Sequence, residues 1–269
     1  MINRRHFLTI GAATMAAPLL FPLAAMAAER KTFSYGPARL DVYSPPSGRN
    51  LPVMIYVHGG AWQTGSRTHV RSKPAFFQRL NMVFVSIDYR LLPKADVATQ
   101  ADDVGRAIHW VKNNISSLRG NPARLSVIGH SAGAHLAALA IASGRAPRIA
   151  ALIGNDTAAY DLNALARLTG GRLNGELADV FNDPSLWTAL SPVSHIGSHR
   201  MPPSLIMWSN SRRRKAMGEL FVRRLAQTGT PVQSFEASNL THEQINKLIG
   251  TGRVPPLERK ITRFLQDHL

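Results

Sequence analysis

Gly129-His130-Ser131-Ala132-Gly133 joins two unlike segments, the apolar run 125–128 and the alanine-rich stretch 132–142. Apolar strand, sharp turn and helix in that order hold a serine in a strained conformation with its hydroxyl turned outward, where a carbonyl carbon can meet it. The small residues two places to either side allow strand and helix to approach without a clash. The chemistry this pattern serves is nucleophilic attack by Ser131, which needs a base to take the proton and donors to hold the resulting oxyanion.

Both appear in the required order. Residues 53–57 (VMIYV) read as a buried strand that runs directly into His58-Gly59-Gly60-Ala61-Trp62. Adjacent glycines leave backbone N–H groups uncovered. The oxyanion role is assigned to the N–H groups of Gly60 and Ala61, with a third from Ala132, the residue after the nucleophile. Downstream, the strand-like 232–235 is followed by Ser238-Asn239-Leu240-Thr241-His242, which places a histidine on a loop just past the last strand. His242 is the expected general base.

The elements that must position these groups are legible around them. Apolar runs alternate with helical segments throughout, which points to the α/β class. Periodicity is clearest over 100–113, where Ala101, Val104, Ile108 and Val111 recur at three- and four-residue spacing. Pro255 fits the first turn of a last helix running to about residue 268. Strands are expected at 149–154 and 204–208. The roughly fifty residues between them exceed a plain crossover, so a small helical cap is expected over about 161–190.

Elbow, HGG-x-W segment and late histidine together resemble the α/β-hydrolase fold, in the branch of hormone-sensitive-lipase-like carboxylesterases, feruloyl-type esterases and kynurenine formamidases. The resemblance covers most of the chain beyond residue 30. It implies a mostly parallel central sheet with helices on both faces, and hydrolysis of short-chain or aryl carboxylic esters through an acyl-enzyme. It leaves formamide hydrolysis, or a degenerate hydrolase that only binds its ligand, as alternatives. Segments 86–90 (SIDYR), 159–162 (AYDL) and 191–195 (SPVSH) also echo that branch, without an assigned catalytic role.

The chain departs from the family at the third catalytic group. Relatives carry an acid a few residues after the penultimate strand, but residues 203–212 hold no carboxylate. Its place falls on Arg212, or on Asn210 with a two-residue shift. Arginine would repel the imidazolium that forms in catalysis, and asparagine could orient the ring without neutralising it. One strand earlier, Gly154-Asn155-Asp156-Thr157-Ala158 resembles pancreatic-type lipases, whose acid follows that strand. Asp156 is therefore a candidate for the acid, with the simpler role of capping a turn or helix open beside it, and Asn210 is a further candidate.

The remaining histidines have other expected roles: His58 braces the oxyanion loop, His130 fills the variable elbow position, and His135 lies one turn into the following helix. None is spaced for a metal, so neither metal nor cofactor is expected. Trp62 reads as a pocket wall or core aromatic. Arg4-Arg5-His6-Phe7-Leu8, an apolar stretch and Ala25-Met26-Ala27 resemble a twin-arginine export signal over 1–27, which implies a bacterial periplasmic or secreted protein with a single domain at 28–269. The absence of cysteine removes a thiol nucleophile, disulfides and a lipoprotein anchor. The formal charge of +16 becomes +14 once Arg4 and Arg5 are cleaved off. The run Arg212-Arg213-Arg214-Lys215 with Arg223 and Arg224 suits weak polyanion binding or a solvated helix face. No nucleic-acid module is present, and the expected partner is a small-molecule ester.

Overall fold

The computed structural model describes residues 29–269; the twin-arginine-like segment 1–27 lies outside them. An eight-stranded sheet runs through the molecule. Its strands are β1 Glu29–Ser34, β2 Arg39–Ser44, β3 Leu51–Val57, β4 Val83–Ile87, β5 Gly120–His130, β6 Ala151–Asn155, β7 Ser204–Trp208 and β8 Val232–Glu236, in the order β1-β2-β4-β3-β5-β6-β7-β8. The β1–β2 and β2–β4 pairs are antiparallel and all others parallel. This is the α/β-hydrolase fold.

Alternation along the strands divides the core into two layers, because successive side chains leave a strand on opposite faces. Val53, Ile55 and Val57 of β3 join Val127 and Leu152 on one face, packed against α2 Val97–Asn114, α3 Ala132–Ala142 and α7 Arg212–Gln227. Met54 and Tyr56 join Ile128, Ile153 and Leu205 on the other, against α1 Lys73–Arg79 and α9 Pro255–His268. Helix α2 starts three residues before its expected limit because Asp96 caps it, accepting from the Thr99 N–H at 2.8 Å. Strand β6 is shifted towards its C-terminal end relative to 149–154, so that Asn155 is its last residue.

Between β6 and β7 lie three short helices, α4 Leu162–Leu168, α5 Glu176–Val180 and α6 Trp187–Leu190, with a 3-10 turn at Pro184–Leu186. Ser191 ties this segment together: its hydroxyl donates to the Trp187 carbonyl and accepts from the Leu162 N–H. Beyond β8, His242 precedes a single turn of helix, α8 Gln244–Lys247. No helix among the described residues is long and apolar enough to cross a membrane.

Candidate active site

The elbow glycines are present for steric reasons. A Cβ on Gly133 would stand 2.2 Å from the Val57 carbonyl oxygen, and one on Gly129 would stand 2.3 Å from that of Gly133. Any larger residue would push α3 away from β3 and β5. Between them Ser131 takes φ 55° and ψ −122°, a strained conformation for a residue with a Cβ. Its N–H donates to the Asn155 carbonyl at 3.0 Å, which ties the elbow to the end of β6, one residue before Asp156.

Ser131, His242 and Asp156 form one hydrogen-bonded chain. Ser131 Oγ lies 3.0 Å from His242 Nε2, and His242 Nδ1 lies 2.7 Å from Asp156 Oδ2. A carboxylate only accepts, so the ring carries its proton on Nδ1 and presents a free lone pair on Nε2 to the serine hydroxyl. Asp156 is fully buried, whereas a quarter of the His242 side chain (24%) remains exposed on the cavity side.

Asp156 reaches the ring because its backbone turns sharply at the end of β6. Its φ is 62°, in the left-handed region that aspartate enters more readily than most residues. Its N–H donates to the Met207 carbonyl at 2.9 Å, and its second oxygen, Oδ1, accepts the Ser209 N–H at 2.7 Å. Arg214 Nε stands 3.8 Å from Oδ2, with 29% of that side chain exposed. Within the basic run it is therefore Arg214, not Arg212, that faces the acid. Arg212 and Asn210 are exposed, and the Asn210 N–H donates to the Leu240 carbonyl. Lys215 pairs with Glu236 and Glu219.

The elbow's variable residue also holds His242. His130 Nε2 donates to the backbone carbonyl of His242 at 3.0 Å, and the two rings lie 4.6 Å apart. Burial, with the charge of His242 second, holds the His130 imidazole well below the usual histidine range. A neutral His130 ring spares the stack the repulsion that two charged imidazoles would exert on each other.

The HGG-x-W segment forms a tight turn with three consecutive positive φ angles, Gly60 131°, Ala61 51° and Trp62 60°. Two of these residues carry side chains, at a cost of about 1–2 kcal/mol each. Neighbouring groups hold the turn. The Gly60 carbonyl accepts from the N–H groups of Gln63 and Thr64, and that of Trp62 from the Leu92 N–H and Gln100 Nε2. Tyr89 donates to the His58 carbonyl at 3.0 Å and stacks on the His58 ring at 4.4 Å. Among the described residues no protein acceptor takes the N–H of Gly60, Ala61 or Ala132. The last of these opens α3, where the helix dipole adds positive potential.

Gly59, Gly60, Ala61, His130, Ser131 and His242 line one cavity of about 640 Å³. Its outer wall is polar, with Thr64, Thr68, His69, Arg71, Asn246 and Lys247, and Glu176 of α5 contributes from the cap. Trp62 is not part of it. Its ring is buried against Phe181 and His135. No group of three metal-ligating side chains occurs among the described residues. The sequence offered no signal for Ser209, Gln100 or Tyr89, because each reaches the site through a hydrogen bond to a partner distant in the chain, Asp156, Trp62 and His58 respectively; Tyr89 lies in a family-like segment without a role assigned to it.

The family model BD-FAE matches residues 40–166. Carboxylesterase NlhH of Mycobacterium tuberculosis is 30% identical over 76% of this chain and 70% of that protein. The chain belongs to the α/β-hydrolase carboxylesterases. Esterase LipQ of the same organism is 33% identical over 65% of this hydrolase but only 47% of its own length. An Arabidopsis thaliana protein described as a probable isoprenylcysteine alpha-carbonyl methylesterase is matched over 25% of its length. An esterase from Pyrobaculum calidifontis superposes with a TM-score of 0.72 at 25% identity, covering 90% of this hydrolase and 86% of that chain.

Proposed function

We propose that this hydrolase cleaves short-chain or aryl carboxylic esters through an acyl-enzyme on Ser131. The observation that carries the reading is the unbroken chain of hydrogen bonds from Ser131 through His242 to Asp156, at a cavity also lined by Gly60 and Ala61. His242 Nε2 takes the hydroxyl proton as Ser131 Oγ bonds to the carbonyl carbon. The carbonyl π electrons move to oxygen, where the N–H groups of Gly60, Ala61 and Ala132 stabilise the charge by an expected several kcal/mol. Asp156 balances the imidazolium. As the tetrahedral intermediate collapses, His242 gives the proton to the departing alkoxide and the alcohol leaves. Water then enters and attacks the acyl carbon while giving a proton to the same nitrogen; as the second tetrahedral intermediate collapses, the bond from the acyl carbon to Oγ breaks, His242 returns the proton to Ser131 Oγ, and the acid leaves.

The polar side chains along the cavity, Thr64, Thr68, His69, Arg71, Asn246 and Lys247, support small or polar ester groups over long alkyl chains. A ligand-binding protein without turnover required an acid out of reach of the ring, and the 2.7 Å contact with Asp156 weighs against it. Incubation with a fluorophosphonate probe tests the reading. Covalent labelling of wild-type protein at Ser131, abolished in Ser131→Ala, is expected, whereas folded protein that stays unlabelled would favour the binder.

We also propose that residues 1–27 direct twin-arginine export. Residues 1–35 fused to a folded reporter should carry it across the inner membrane, and replacing Arg4 and Arg5 together by lysine should keep it in the cytoplasm. Efficient export of the double-lysine fusion would assign the segment to another route.

A further inference from the structure

His135 is fully buried on α3, one turn beyond Ser131, and both of its ring nitrogens are engaged by segments far away in the chain. Trp62 Nε1 donates to His135 Nδ1 at 3.2 Å, and His135 Nε2 faces the Leu190 carbonyl at 2.8 Å. An indole N–H can only donate, so Nδ1 must be the accepting nitrogen, and Nε2 carries the proton and donates to Leu190. The tautomer is thus dictated from both sides. Burial pushes the imidazole down to about 4, which keeps it neutral.

Two of the three segments joined in this way carry groups of the reaction centre, and the third belongs to the cap. Trp62 ends the strained turn that carries the Gly60 and Ala61 N–H groups, α3 carries Ser131 and the Ala132 N–H, and Leu190 ends the cap helix α6. Phe181, at the end of α5, packs edge-on against both Trp62 and His135, with ring centroids 4.9 and 5.6 Å away. The Leu92 N–H and the Gln100 side-chain Nε2 hold the Trp62 carbonyl from another side. The bond to His135 ties the same residue directly to the helix of the nucleophile. The distance from Ser131 Oγ to the oxyanion donors depends on how those two parts sit relative to each other, and errors of a few tenths of an ångström there weaken transition-state stabilisation.

We infer that His135 is a positioning residue for the oxyanion pocket, a strut that fixes the Gly60–Trp62 turn against the nucleophile helix and the end of the cap. The inference rests on the ester-hydrolase reading above. His135 touches neither the nucleophile nor the base, and it acts only through Trp62 and Leu190.

Three variants separate this role from simple core packing. Trp62→Phe keeps an aromatic ring but removes the donor with part of the buried indole volume, His135→Leu removes both ring hydrogen bonds, and His135→Asn restores an acceptor near the position of Nδ1 while losing the reach to Leu190. The readouts are the second-order rate of fluorophosphonate labelling at Ser131, kcat and KM for p-nitrophenyl acetate, and Tm. Trp62→Phe and His135→Leu are expected to lower labelling and kcat together by about ten- to a hundredfold, with KM within about threefold. The double variant should fall no further than the worse single one, because both act through the same bond. His135→Asn should recover most of the labelling rate.

Folded Trp62→Phe protein that labels and turns over within about twofold of wild type would overturn the strut, as would additive losses in the double variant. Trp62→Phe alone decides the matter if His135→Leu does not fold. A wild type that cannot be labelled removes the hydrolase reading and the strut with it. A labelled wild type with unimpaired variants removes only the strut.

Discussion

Ser131→Ala is expected to abolish hydrolysis of p-nitrophenyl acetate while leaving stability within about 1 kcal/mol of wild type. In the proposed mechanism Ser131 forms the covalent bond, and the chain has no cysteine to replace it; the cavity-wall hydroxyls of Thr64 and Thr68 bond to the Gly60 carbonyl and to Ser66, whereas that of Ser131 meets His242. Stability should hold because the side chain contributes one hydrogen bond, to His242, at a partly exposed position. The strained φ of 55° is retained in the alanine variant, and the steric fit of Gly129 and Gly133 is untouched. Residual activity above a tenth of wild type would move the chemistry to another residue. Thermal denaturation of the same preparations separates loss of activity from loss of fold.

Asp156→Asn should lower kcat by about 10⁴ with little change in KM. The two oxygens of Asp156 accept from different partners, Oδ1 from the Ser209 N–H and Oδ2 from His242 Nδ1. An asparagine has a single acceptor, and the backbone N–H of Ser209 has no alternative protonation state. The amide oxygen therefore stays with Ser209 and the NH₂ turns to the ring. That arrangement forces the His242 proton onto Nε2, opposite Ser131, where the ring can no longer accept the hydroxyl proton. The fold should survive, since the backbone bond from Asp156 to Met207 and the side-chain volume are both kept. Asn210→Ala is the matched control and should change kcat little, because that residue is exposed and engages Leu240 through its backbone. A near-normal rate in Asp156→Asn would reject Asp156 as the acid.

The two variants differ in how far their targets could be read from the chain. The setting of Ser131 is local, because five consecutive residues between an apolar strand and an alanine-rich helix specify a turn that only small flanking residues permit. The same holds for the HGG-x-W turn, where adjacent glycines follow a strand, and for the last helix, whose start is marked by Pro255. Backbone sterics act over a few residues, so the type and order of those residues were enough. His242 was legible from its order too, as a histidine just past the final strand.

The choice among Asp156, Asn210 and no acid was not local. It depends on β6 lying beside both β5 and β7, so that one turn can reach a ring 86 residues away while the Ser209 N–H steadies the second oxygen. Sequence patterning specifies that both segments are strands, but their adjacency comes from packing two apolar layers over one twisted sheet. His135 makes the same point. Its place in the chain marks only a buried helical residue, and its partners Trp62 and Leu190 lie 73 and 55 residues away. Local sterics and periodicity therefore determined the elbow turn around Ser131 and the class of fold from the sequence by itself. Only the tertiary structure decided that Asp156 meets His242 and that the buried His135 ring bonds to Trp62 and Leu190, because hydrogen bonds of a few ångströms between distant segments depend on how the sheet is assembled.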